Sequence, residues 1–224
     1  MDVLEVSDPE AGPWLDRQAP PLHLLIGDSI ARDSGLRSRL PPDEFLSLAR
    51  GGATWKSTAR DLDDIIARWT TKAAEEGRRL GDAVIWLTGN DVYSRLTLLS
   101  SFSPETLEET GRLAADVCRR LLEKGRVTVL GPLPRMSGEI SGSRWETTAS
   151  YHLERRLKHS LPPAVRLVPL GRQLLRRAGG RYCVVQECAT SFRHDGVHLT
   201  AEGYARVADA LQLPIWISLT AAFK

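Results

Sequence analysis

Short, mostly apolar runs that alternate with helical periodicity constrain this chain more than any other feature. The runs cover residues 22–26, 45–48, 83–87, 127–130 and 165–168. Each is too short for a buried helix; residues 83–87 are apolar throughout and the other four runs are interrupted once, by His23, Ser47, Thr128 and Arg166, the pattern of strands largely covered on both faces. Between them lie amphipathic stretches. Leu62, Ile65, Ile66, Trp69 and Ala73 form one apolar stripe on a helix expected over residues 54–76. Ser103-Pro104-Glu105 is a helix start with serine as cap and proline in the first turn. Leu107, Ala114, Val117, Cys118, Leu121 and Leu122 line that helix, and Gly125 ends it. Further helices are expected over residues 30–40, stopped by Pro41-Pro42, around Tyr151, Leu153 and Leu157, over 173–177, and around Tyr204, Val207, Ala208 and Leu211. Parallel neighbours need helical crossovers. The order therefore predicts a three-layer α/β/α sandwich on a mostly parallel sheet of about five strands. Residues 1–20 read as an irregular entry segment in which Trp14 and Leu15 pack on the body. Residues 21–224 read as one domain, since 224 residues can bury a large core and no linker divides them.

The first apolar run stops at Gly27 and delivers Asp28 and Ser29 to the carboxyl end of its strand, the edge at which open α/β sheets bind ligands. Alone, Gly-Asp-Ser is ordinary turn and cap chemistry. The far end of the chain adds weight to it. In His194-Asp195-Gly196-Val197-His198, an aspartate and a histidine stand three apart, close enough for one turn to let the carboxylate orient the imidazole. A serine hydroxyl is a poor nucleophile until such an oriented base takes its proton.

With these residues in view, the chain resembles the SGNH (GDSL-type) hydrolase family. Gly27-Asp28-Ser29 resembles the family's first block, Gly51-Gly52-Ala53-Thr54 its second, Gly89-Asn90-Asp91 its third, and Asp195 to His198 its last. They fall in the family's order across nearly the whole chain. The third block usually reads Gly-x-Asn-Asp; here Thr88 stands where the first glycine is expected. The resemblance implies a flavodoxin-like α/β/α fold and a serine esterase acting on a small, acetyl-like acyl ester through an acyl-enzyme, without metal or cofactor. It implies Ser29 as nucleophile, His198 as general base and Asp195 as its orienting acid. It also implies the backbone N–H groups of Ser29 and Gly52 and the side-chain amide of Asn90 as the oxyanion hole. An acyltransferase on the same fold shares this machinery. Similar domains also occur in the first open reading frame of LINE-type retrotransposons, where an accessory role, associated with lipid, membrane or RNA in a larger protein, is the alternative; a catalytically silent binding fold is a third.

Composition narrows the rest. A net charge of +2 selects no partner. The first sixteen residues carry Asp2, Glu5, Asp8, Glu10 and Asp16 with no basic side chain, and residues 155–181 are rich in arginine. Aromatic residues do not interleave with those arginines, which favours solvated surfaces over a nucleic-acid groove. Cys118, Cys183 and Cys188 make neither a disulfide framework nor a zinc set and read as core residues of a protein kept in a reducing compartment. No apolar leader is visible, nor an apolar run of the roughly 20 residues that a membrane helix needs, so a cytoplasmic or otherwise intracellular location is expected. Trp55, Trp86 and Trp145 read as core. His23, His152 and His159 have packing or surface roles, and His194 adjoins the triad turn. Asp28 is expected to stabilise its turn rather than take part in chemistry.

Overall fold

The structure, a computed structural model, describes residues 19–34, 44–93, 103–136, 143–183 and 186–211. Trp14, Leu15 and the helix stop at Pro41-Pro42 lie outside the described residues. The described elements are β1 (Leu22–Gly27), α1 (Ser29–Asp33), β2 (Phe45–Ser47), α2 (Trp55–Arg60), α3 (Leu62–Glu75), β3 (Leu80–Trp86), α4 (Pro104–Leu122), β4 (Val127–Leu130), α5 (Ala149–Ser160), β5 (Arg166–Val168), β6 (Arg176–Ala178), β7 (Arg181–Cys183) and α6 (Ala201–Leu211), with short 3₁₀ turns between some of them.

Five strands form one wholly parallel sheet in the order β2-β1-β3-β4-β5. The chain steps from β1 to β2 on one side, returns past β1 to β3, and then moves outward. This is the flavodoxin-like order, and the reversal opens a crevice between the carboxyl ends of β1 and β3.

Side chains alternate across each strand, so each run supplies two cores. Leu24, Ile26, Ala83, Ile85 and Val129 face one layer, where Trp69 of α3, Val117 of α4 and Leu153 of α5 close over them. Leu25, Val84, Trp86 and Leu130 face the other, covered by Ile30 of α1 and Val207 and Ala208 of α6. The tryptophans at 55, 86 and 145 are all fully buried. Cys118 and Cys188 are buried too, whereas Cys183 is half-buried at the end of β7; all three cysteines are free. No described helix is long and apolar enough to cross a membrane.

Two local expectations change. The helix expected over 54–76 is two helices, because Asp61 leaves helical geometry at φ −96°, ψ 9°, with its carboxylate bound to the guanidiniums of Arg60 and Arg50. The helix expected over 173–177 is instead a 3₁₀ turn at Gly171–Leu174 followed by the β6/β7 hairpin. Gly179 and Gly180 sit at φ +54° and +79°, the paired positive values that a two-residue hairpin loop demands. Arg176 and Arg177, the end of the expected helix, pair instead with Cys183 and Tyr182 in this hairpin.

α4 begins as its residues imply: Ser103 Oγ accepts from the Thr106 N–H, with Pro104 first in the helix. On the face shared by α3 and β1, the Trp69 indole is wholly buried and donates to the Leu22 carbonyl at 2.8 Å. Trp69→Ala should therefore cost roughly 3–5 kcal/mol of stability, read as a lower denaturant midpoint in urea unfolding.

Candidate active site

The turn that carries Ser29 is built by Gly27 and Asp28. A Cβ at Gly27 would collide with that of Ala31 and press to 2.8 Å on the Trp86 carbonyl oxygen, so only glycine lets β1 turn into α1 this tightly. Asp28 caps α1: one carboxylate oxygen accepts from the Ile30 N–H at 2.9 Å. The other accepts from the Thr88 N–H at 2.7 Å and the Thr88 hydroxyl at 2.6 Å. Asp28 is 1% exposed, and its donors tie the end of β1 to the end of β3. Thr88 thus has a clear role: its hydroxyl supplies Asp28 with a donor that glycine lacks. Ser29 is the first residue of α1, where backbone N–H groups have no acceptor within the helix.

His198 reaches this turn from the far end of the chain. Its Nε2 lies 2.9 Å from Ser29 Oγ and its Nδ1 2.7 Å from Asp195 Oδ2. The other oxygen of Asp195 accepts from the Val197 and His198 N–H groups at 2.8 and 2.9 Å, so the carboxylate organises its own turn. Partial burial pushes the Asp195 carboxyl up, but the hydrogen bonds from the His198 ring and from the Val197 and His198 N–H groups outweigh it and hold it at about 2. It is ionised at neutral pH. The turn is closed by the Arg193 N–H on the His198 carbonyl (2.7 Å) and the Thr200 N–H on the Ser191 carbonyl (3.0 Å). Tyr204 of α6 donates its hydroxyl to the Ile30 carbonyl at 3.1 Å, docking the closing helix on α1. The side chains of this hydrogen-bonded pair remain partly open to solvent, His198 at 29% and Asp195 at 38%.

Two further loops border the turn. The Arg50 N–H donates to the Gly27 carbonyl (2.9 Å), and the Ala53 N–H closes back on Arg50 (3.3 Å), with Gly52 at φ +71° between them. Asn90 follows β3. Its Nδ2 donates to the Ala53 carbonyl at 3.1 Å and makes a longer 3.5 Å contact with Asp28; its Oδ1 accepts from Arg135 at 2.7 Å. The structure therefore brings Ser29, His198 and Asp195 into one hydrogen-bonded chain. It places Asn90 beside Asp28 and Gly52 in a loop tied to Gly27. His194 is exposed on the triad turn, whereas His23 lies at the other end of β1, accepting from the Asp82 N–H at 2.8 Å and stacking on Phe45. Among the described residues no three His, Cys, Asp or Glu side chains gather as a metal site.

The sequence assigns no role to three residues here: Thr88 and Asp91, which it names only as parts of the third block, and Arg135, which it does not name. Arg135 had one available signal, since it is a charged residue just after an apolar strand and a Gly-Pro-Leu-Pro turn. Burial lowers its pKa, opposed by Tyr93, Asp28 and Asp195 nearby. Asp91 Oδ1 accepts from the Trp55 N–H at 3.0 Å at the start of α2, while its Oδ2 is buried without a hydrogen-bond partner. Burial raises the Asp91 carboxyl to about 7 against the pull of the Trp55 N–H. The folded chain thus holds this proton in a range, from about pH 4 to about 7, where the unfolded chain releases it, so stability falls as pH rises through that window. Asp91→Asn keeps the acceptor for Trp55 and should flatten this slope, measured by denaturant unfolding at pH 5 and pH 8.

No protein-family model matches this sequence, and no curated protein matches it at the level of sequence. Solved structures do match. A GDSL-like lipase from Bacteroides thetaiotaomicron aligns over 88% of this chain and 88% of its own, with 14% identity and a TM-score of 0.58. The psychrotrophic esterase EstA from a Pseudoalteromonas species aligns over 88% and 98%, at 11% identity and a TM-score of 0.55. The C-terminal catalytic domain of peptidoglycan O-acetyltransferase A from Streptococcus pneumoniae aligns over 89% and 95%, at 14% identity and a TM-score of 0.50. With its five parallel strands in flavodoxin-like order between two helical layers, the chain has the α/β/α fold of the SGNH (GDSL-type) hydrolases.

Proposed function

We propose that this protein is a serine esterase that cleaves a small acyl ester through an acyl-enzyme. The observation that carries this reading is the unbroken chain from Ser29 Oγ to His198 Nε2 and from His198 Nδ1 to Asp195, at 2.9 and 2.7 Å. In this scheme Ser29 Oγ attacks the acyl carbon as His198 Nε2 takes its proton. Asp195, ionised, holds the ring in the tautomer that leaves Nε2 free to accept and stabilises the imidazolium that forms. Collapse of the tetrahedral intermediate breaks the ester bond, and His198 returns the proton to the departing alcohol. Water, deprotonated by His198, then attacks the acyl-enzyme; the acyl–Oγ bond breaks, the acyl group leaves as the carboxylic acid, and His198 returns the proton to Ser29 Oγ.

The tetrahedral intermediate places a full negative charge on the former carbonyl oxygen. Donors aimed at that charge commonly supply the largest single catalytic contribution. Here they are the N–H of Ser29 in the first turn of α1, the N–H of Gly52 and the amide of Asn90. The Asn90 hydrogen with only a 3.5 Å contact to Asp28 is the one free to turn toward substrate.

An acyltransferase is the second reading, favoured by the likeness to the streptococcal O-acetyltransferase domain. Both readings share the acyl-enzyme and differ in whether water or an alcohol receives the acyl group.

Purified protein should release p-nitrophenol from p-nitrophenyl acetate. Ser29→Ala should lower kcat by at least roughly 10³-fold, and Asn90→Ala by roughly 10²–10³-fold. Turnover that survives Ser29→Ala unchanged overturns both readings. Acyl transfer to added alcohols that outruns hydrolysis selects the second.

A further inference from the structure

Asn90 carries an ambiguity that its own geometry does not resolve. A side-chain amide presents an acceptor oxygen and a donor NH₂ group of nearly equal shape, and turning it over exchanges the two. Only one orientation offers a donor to an oxyanion. Something must therefore discriminate between them.

The Asn90 oxygen accepts from Arg135 at 2.7 Å. A guanidinium has five donors and no acceptor, so it binds the amide oxygen and repels the NH₂ group. On the other side of the amide stand two acceptors, the Ala53 carbonyl at 3.1 Å and the Asp28 carboxylate at 3.5 Å, which bind the NH₂ group and repel the oxygen. The amide thus lies between a donor-only group and two acceptors.

Arg135 is itself held. Its guanidinium lies 4.6 Å from the centroid of the Tyr93 ring. The Tyr93 hydroxyl is 2.9 Å from Ser150 Oγ, at the start of α5, and Ser150 donates in turn to the Leu133 carbonyl. The loop carrying Arg135 is pinned on both sides: the Leu133 N–H donates to the Thr88 carbonyl at 3.1 Å, and the Met136 N–H to the Gly196 carbonyl in the triad turn at 2.9 Å. The segment after β4 therefore touches both the end of β3 and the turn that carries Asp195 and His198.

We propose that Arg135 is a positioning residue that fixes the direction of the Asn90 amide, so that its NH₂ group faces the oxyanion site before substrate arrives. This rests on the reading of Asn90 as an oxyanion donor. It assigns Arg135 no contact with substrate, and its effect belongs in kcat rather than KM.

The test is a double-mutant cycle on p-nitrophenyl acetate hydrolysis by the full chain, with each variant's fold checked by circular dichroism and thermal unfolding. Arg135→Met removes every donor and should lower kcat about tenfold with KM nearly unchanged. Arg135→Lys, still donor-only, should recover most of that loss. In an Asn90→Ala background Arg135→Met should have no further effect on kcat. If Asn90→Ala is impaired while folded Arg135→Met keeps the parent kcat, the proposal falls and the oxyanion reading stands. An equal loss from Arg135→Met with and without Asn90 overturns it as well, since Arg135 then acts by another route. Should Asn90→Ala match the parent while Ser29→Ala is inactive, the oxyanion role of Asn90 is lost and the proposal with it. Poorly folded Arg135→Met leaves the decision to Arg135→Lys: a folded Lys variant as impaired in kcat as Asn90→Ala overturns the proposal, and one near the parent supports it.

Discussion

The buried carboxylate of Asp28 joins the ends of two neighbouring strands, and the geometry of the site follows from that join. A carboxylate removed from water is costly unless donors replace its hydration. Asp28 receives the Ile30 N–H, the Thr88 N–H and the Thr88 hydroxyl, with the Asn90 amide at the edge of reach. Hydrogen bonds to a charged acceptor are worth about 1.5–3 kcal/mol each, roughly twice the neutral kind. The first aims α1 and so sets where Ser29 stands. The others hold the end of β3, and so set where Asn90 stands. One side chain thereby fixes the relative position of two loops 60 residues apart.

Sheet topology makes this join possible. Because the chain reverses direction between β1 and β3, their carboxyl ends are adjacent while the loops leaving them diverge. The loop after β2 is drawn in by the Arg50 N–H on the Gly27 carbonyl, and the loop after β4 by its hydrogen bonds to Thr88 and Gly196. Four segments far apart in sequence thus converge on one rim, held by backbone hydrogen bonds in addition to the Asp28 carboxylate.

Asp195 and His198 follow a different logic. Their pairing is local: the carboxylate accepts two backbone N–H groups within its own turn and the imidazole three residues on. This unit needs only to be carried to the correct place. Tyr204 on Ile30 does the carrying, by docking α6 on α1, while the Phe192–Leu199 bridge closes the turn that leads into α6.

What the amino-acid sequence by itself determined is what acts over a few residues. The apolar runs became strands because those of β1, β3 and β4 are buried on both faces of the sheet, which leaves no polar face for a surface helix. Ser103-Pro104 started α4 because cap chemistry is local, and Asp195 oriented His198 because three residues make one turn. Ser29, Gly52, Asn90 and the Asp195–His198 turn were picked out together by a resemblance to a family's blocks and not by local physics alone. Tertiary structure decided the rest. Only the packed sheet brings Ser29 within 2.9 Å of a ring 169 positions away. Thr88 looked like a defect in its block until the fold placed the Asp28 carboxylate against its hydroxyl, and Arg135 had no partner in view until the loop after β4 was laid across Asn90. Residues 176–183 show the same limit in reverse. Their composition allowed a helical start, but a pair of glycines at positive φ and packing of Tyr182 beside Trp145 and Leu175 favoured a hairpin. The reason is common to all of these: a hydrogen bond between distant segments depends on how the layers close, and a short stretch of chain carries no record of what will be laid against it.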